Sequence, residues 1–141
     1  MYQRDYILRM VQMLAELIAG ILGLIKSGKF EQASESLENA YFYFLKQDAA
    51  FFRSIPKEKL TDELLALHDF TNDHLEILSE LFHAEAQLHQ SQKHFPPSLE
   101  YFEKALILQE YIAKQSNAYS VDKQEKINTL RLKIEEIKRS R

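Results

Sequence analysis

The residues with the most capacity for chemistry are five histidines, all between His68 and His94, and several closely spaced carboxylates. Two imidazoles on one helix grip a common metal ion when they stand at i and i+4. The histidine spacings are 6, 9, 6 and 5, so no pair meets that requirement. Glu80 and His83 form one Glu-x-x-His element, which di-iron helical bundles use twice, with a Glu from each of two further helices. The other four histidines follow Leu65, Thr71, Ala86 and Ser91 at that distance, so there is no second copy and no metal site is expected. His89 falls on an apolar stripe, which predicts a partly buried packing residue. The pairs Glu35/Glu38, Asp69/Asp73, Glu76/Glu80 and Glu100/Glu103 could do acid–base work only if one member were desolvated. They fall on polar helix faces, which predicts solvated charge. There is no Gly-x-Ser-x-Gly turn and no glycine-rich phosphate loop. No catalytic residue, metal ligand or cofactor is therefore expected, and the chain reads as non-enzymatic. The alternative is a metal- or small-ligand-binding helical protein using the histidine-rich 68–94 region.

The elements that must position these residues are helices. Among 141 residues there are only three Gly and three Pro, where ordinary usage is about 7% and 5%. Twenty Leu stand against two Val and three Thr, and straight-chain residues lose little rotamer freedom in a helix. The composition predicts a single all-α domain. The absence of cysteine removes disulfides and thiolate sites. Residues 17–25 form the longest uncharged apolar run, well short of the ~20 residues that span a bilayer, so a cytoplasmic protein without membrane contact is expected. Residues 121–141 carry seven basic and four acidic side chains, while 1–120 carry 11 and 17. A basic helix end complements the helix dipole, and an acidic body without aromatic–basic interleaving argues against nucleic acid.

Apolar periodicity predicts helices over 3–26, 30–47, 57–67, 72–92, 97–115 and 121–138. Gly28 is expected to cap the first, and Asp122 with Glu125 to open the last. A continuous helix across 69–72 is the alternative for the middle of the chain. Gly20 and Gly23 are expected to allow a close backbone approach. Phe42 is expected to pack beneath Phe51 and Phe52, with a partner contact as the remaining option.

Comparing the chain with itself reveals a repeat. Phe30, Ala33, Leu37 and Ala40 recur as Phe95, Ser98, Phe102 and Ala105, each 65 residues on. This aromatic–small–large–Ala pattern resembles the tetratricopeptide repeat, well over 14–47 and fairly over 79–112. The opening Met1-Tyr-Gln-Arg-Asp-Tyr-Ile7 resembles a family of small uncharacterised bacterial tetratricopeptide-like proteins. The chain departs from the repeat at Ile21, where a small residue is usual, in lacking a Pro after the first unit, and in its 65-residue period. The resemblance implies antiparallel hairpins stacked as a short right-handed array of about six helices, with 119–141 as a C-terminal capping helix. It also implies a groove lined by the first helix of each hairpin: Ala15, Ile18 and Leu22, then Glu80, His83, Gln87 and Gln90. None of these is the Lys, Arg or Asn of a carboxylate clamp. The expected function is protein–protein interaction or scaffolding. The partner would be a helix or peptide, or a second copy forming a homodimer, because the first helix is apolar over more of its circumference than one neighbour can cover.

Overall fold

The computed structural model describes residues 2–116 and 120–140. Among them are seven helices: α1 (Tyr2–Lys26), α2 (Phe30–Leu45), α3 (Ala49–Arg53), α4 (Leu60–Leu65), α5 (Asn72–Ser91), α6 (Phe95–Gln115) and α7 (Val121–Ser140). A 3₁₀ turn, Lys57–Lys59, leads into α4. The fold is an all-α array of antiparallel hairpins. The α1/α2 hairpin packs on α5/α6, and α7 packs on α6.

The 65-residue repeat reappears in the geometry of the two hairpin turns. Gly28 has φ 76° and Lys93 φ 61°. The amide of Lys29 donates to the Leu24 carbonyl at 2.8 Å, and that of His94 to the His89 carbonyl at 2.8 Å. Each turn is thus closed by a 6→1 bond behind a left-handed residue, the usual way to satisfy the last carbonyls of a helix. Glycine adopts that conformation without strain, and lysine does so at a cost. Past the turn, Ala33 and Ser98, Leu37 and Phe102, and Ala40 and Ala105 are all buried. Because Ser98 is polar, it needs a partner in the core, and its hydroxyl donates to the Ala86 carbonyl at 2.7 Å.

The period is 65 rather than two short units because residues 46–71 form an inserted strap. Lys46 adopts φ 59° and stops α2 two residues earlier than expected. The strap contains α3, a helix that the apolar pattern did not predict, and its later portion packs on α6. Asp69, at φ 61°, and the Thr71 N-cap separate α4 from α5, which excludes the continuous helix. The His74 side chain closes that cap by accepting the Thr71 amide at 2.9 Å. Four local expectations are corrected by the structure. Phe42 is 57% exposed, because α3 turns Phe52 onto Tyr41 (ring centroids 6.1 Å) and Phe51 onto Phe52. A Cβ at Gly20 or Gly23 would meet nothing within 4 Å, so neither permits a close approach within the chain. Helix α6 begins at Phe95, with Pro96 and Pro97 in its first turn, where a missing N–H costs no hydrogen bond. In α7 the cap is Ser120, whose hydroxyl accepts the Lys123 amide at 3.2 Å.

Candidate functional site

Helices α1, α5 and α7 run in the same direction. The C-terminal ends of α1 and α5 share one cavity. Lys123 pairs with Glu76 near the α5 N-terminus, and Glu136 meets Gln90 near its C-terminus. The exposed side of α5 is therefore the floor of a groove, with α1 as one wall and α7 as the other. Its C-terminal half is a cavity of about 620 Å³ lined by Ala19, Leu22 and Gly23 of α1, Gln87 and Gln90 of α5, and Lys133 of α7, with Lys26 at the rim. Towards the N-terminus of α5 a second cavity of about 420 Å³ lies between Glu80 and His83 of α5 and Asp122, Glu125 and Lys126 of α7, with no α1 residue in its lining.

Of the residues expected to line a groove, Leu22, Gln87 and Gln90 meet in the first cavity, and Glu80 and His83 in the second. Ala15 is exposed and Ile18 half-buried on α1, outside both linings. The contribution of α7 was not foreseen. Its apolar seam of Ile127, Leu130, Ile134 and Ile137 is buried as the pattern predicts. What the pattern cannot say is that the opposite edge reaches over α5. Lys126 Nζ donates to Glu76 Oε2 at 3.1 Å and lies 3.7 Å from Glu80 Oε1. Gln90 Nε2 donates to Glu136 Oε2 at 2.9 Å.

These contacts correct the reading of Glu76 and Glu80 as solvated charge, since their side chains are only 19% and 29% exposed. Burial pushes the Glu76 carboxyl up, but hydrogen bonds from Lys123 and Gln109 outweigh it and hold it below the usual range. Burial wins at Glu80, which is raised. His83 sits against the edge of the Phe102 ring, with centroids 5.6 Å apart. Burial, with Lys133 and Lys126 nearby, pushes it down to about 4. The groove is electrically uneven: Asp122, Glu125 and Glu80 outnumber Lys126 at one end, while Lys26 and Lys133 stand at the other, Lys133 lying 3.8 Å from Glu136.

A second polar cluster lies behind the groove, where the strap meets the two hairpins. Arg53 pairs with both Glu38 of α2 and Glu85 of α5, and its Nε donates to Glu85 Oε1 at 2.8 Å. Glu85 is 4% exposed. Burial pushes its carboxyl up, and His89 and Arg53 more than offset this, so it lies below the usual range. The buried Lys104 donates to the Arg53 carbonyl at 3.1 Å. Glu38, Arg53, Glu85, His89 and Tyr101 border a cavity of about 500 Å³. Nothing in the local pattern marked Glu85 or Arg53, because their pairing depends on the path of the strap.

The histidines are dispersed. His68 is exposed beside Asp69. His74 caps α5, and His83 faces α7. His89 is partly buried and stacks on Tyr101, with centroids 5.7 Å apart, and His94 lies across from it at 6.0 Å. Among the described residues, no three His, Cys, Asp or Glu side chains are grouped so as to hold a metal ion. The Leu8–Lys26 part of α1 has a mean hydropathy of 1.8, with 22% of it buried, and is long and apolar enough to cross a membrane by length and composition alone. No protein-family model, curated protein or solved structure matches the chain.

Proposed function

We propose that this protein is a non-enzymatic interaction module of tetratricopeptide type, which seats an amphipathic helix of a protein partner in the α1–α5–α7 groove. The observation that carries this reading is the composition of the groove. Leu22, Ala19 and Gly23 supply an apolar wall with little side-chain bulk, Gln87 and Gln90 supply hydrogen bonds, and the ends carry opposite charge. Helix-in-groove recognition needs an apolar strip for anchors at i, i+3 and i+4, with polar groups to fix register. The partner would place basic side chains towards Glu80, Asp122 and Glu125, and acidic ones towards Lys26 and Lys133. Its own dipole would add to this pairing with the helix N-terminus at the acidic end.

Selection from a displayed library of helical peptides tests the reading. Peptides that bind should shift the amide resonances of Ala19, Leu22, Gln87, Gln90 and Lys133. Leu22→Glu, which places charge on the half-buried wall, should abolish binding with the far-ultraviolet dichroism unchanged. Gln87→Ala, less disruptive to packing, should weaken it. Binding that maps elsewhere, or that survives both substitutions, refutes the reading.

A further inference from the structure

We infer that the outer face of the first hairpin is a two-fold interface that pairs this chain with a second copy, distinct from the groove. The internal repeat identifies the face. Met13, Leu17, Ser36 and Asn39 correspond, 65 residues on, to Leu78, Phe82, Tyr101 and Lys104. In the second hairpin that face is occupied: Phe82 lies against Tyr41 of α2, with centroids 6.3 Å apart, and Lys104 donates to the strap. In the first hairpin nothing among the described residues takes the equivalent place. Instead Met13, Leu17, Asn39 and Tyr43 border an open, largely apolar hollow of about 360 Å³. Tyr6 and Tyr43 remain 54% and 51% exposed, and Met13 37%.

The charges on α1 select the occupant. Arg9 and Glu16 are both exposed, seven residues apart on one side of the helix. Among the described residues neither takes part in an ion pair within the chain. Two antiparallel copies of α1, with the axis passing between Gln12 and Met13, bring Arg9 of each beside Glu16 of the other. The face is thus complementary to itself, as an isologous contact requires. Its size fits as well. Helices of 25 and 16 residues, at ~1.5 Å per residue and ~10 Å wide, present about 600 Å² a side. That gives ~1,200 Å² for the pair, the lower bound for a stable interface. The opposite end of the array argues against head-to-tail stacking. Of its outward positions on α7, Asn128, Arg131, Glu135 and Arg139 are exposed and polar, with Leu132, 70% exposed, and Val121 as apolar exceptions, a mostly polar surface of the kind a terminal cap presents.

Light scattering behind size exclusion, on the full chain over about a hundredfold range of concentration, tests this. The expected mass is twice 16.6 kDa, falling towards the monomer on dilution. Arg9→Glu and Glu16→Arg should each raise the dissociation constant at least about tenfold, since each sets two like-charged contacts across the axis. The double exchange should return it to within about threefold of the original. Because both side chains are exposed, a merely structural role would not produce that rescue. Leu22→Glu in the groove should leave the mass unchanged, so the groove and the interface can fail separately. A monomer at every concentration, a mass that grows beyond the dimer, or a double exchange that fails to restore pairing would overturn the proposal. So would a chain that is monomeric in solution and co-floats with phosphatidylglycerol vesicles, which would assign the face to a lipid surface.

Discussion

Replacing Arg53 by Met should reveal what holds the strap to the hairpins. The substitution keeps an unbranched side chain of similar reach and removes the guanidinium that Glu85 shares with Glu38. Glu85, 4% exposed, would keep His89, at 3.7 Å, and the neighbouring Tyr41 hydroxyl, neither of them a permanent charge. Removing one partner of a buried pair costs about 3–5 kcal/mol, because the remaining charge is left desolvated. Arg53 itself is 27% exposed, so water can reach the vacated space, and the lower end, about 3 kcal/mol, is expected. At roughly 3–4 °C per kcal/mol this is about 10 °C in Tm. The pH dependence carries the mechanism. In the parent the folded Glu85 carboxyl is held low, so its stabilisation is present above the unfolded carboxylate value and is lost as pH falls through the folded one. In the variant burial dominates and the folded carboxyl is raised, so its cost is greatest near pH 7 and shrinks as pH falls. Urea unfolding at pH 7 and pH 5 should therefore show the gap narrowing on acidification. Adding Glu85→Leu should recover at least about 2 kcal/mol at pH 7. A loss below about 1 kcal/mol, or one equal at the two pH values, would refute the argument that Glu85 is a desolvated charge neutralised by Arg53.

His83 is pushed down to about 4 against about 6.5 unfolded, so the unfolded chain binds the proton first and stability falls as pH drops from 6.5 towards 4. That amounts to about 3 kcal/mol at its limit, and His83→Gln should abolish this part of the acid slope in denaturant titrations. Gly28→Ala should cost about 1 kcal/mol because φ there is 76°, whereas Gly23→Ala, in a helix interior with open space around it, should gain about 0.5–1 kcal/mol; thermal melts of the two distinguish conformation from packing. Leu130→Ala, at a site 2% exposed, should cost about 2–4 kcal/mol, with hydrogen exchange accelerating first in α7.

Much of the architecture was legible because it repeats. The positions of Ala33, Leu37 and Ala40 recur at Ser98, Phe102 and Ala105, and a stripe of that spacing can be buried only in a helix. The turns were legible at Gly28, where glycine advertises a left-handed residue, and less so at Lys93, where a lysine takes the same conformation. Residues 46–71 resisted reading because their burial depends on partners distant in sequence. Arg53 is 32 residues from Glu85, and no local period encodes that distance. Phe42 misled for the same reason, since α3 determines which aromatic residue faces inward. At the groove, the resemblance pointed to Leu22 of α1 and to the residues of α5 that line the two cavities, but also to Ala15 and Ile18, which line neither, and it missed Ala19 and Gly23. The α7 wall was not legible at all, because an apolar seam specifies what a helix buries and not where its other edge comes to rest.

The strap also affects how the array comes apart. In a simple stack each hairpin touches only its neighbours, so unfolding can start at an end and advance unit by unit. Here Arg53 joins α2 to α5, and Lys57 pairs with Glu103 of α6 at 2.7 Å. A single short segment thus ties α2 of the first hairpin to both helices of the second. The second hairpin cannot part from α2 without breaking the tie, so the two hairpins are expected to open together rather than one at a time.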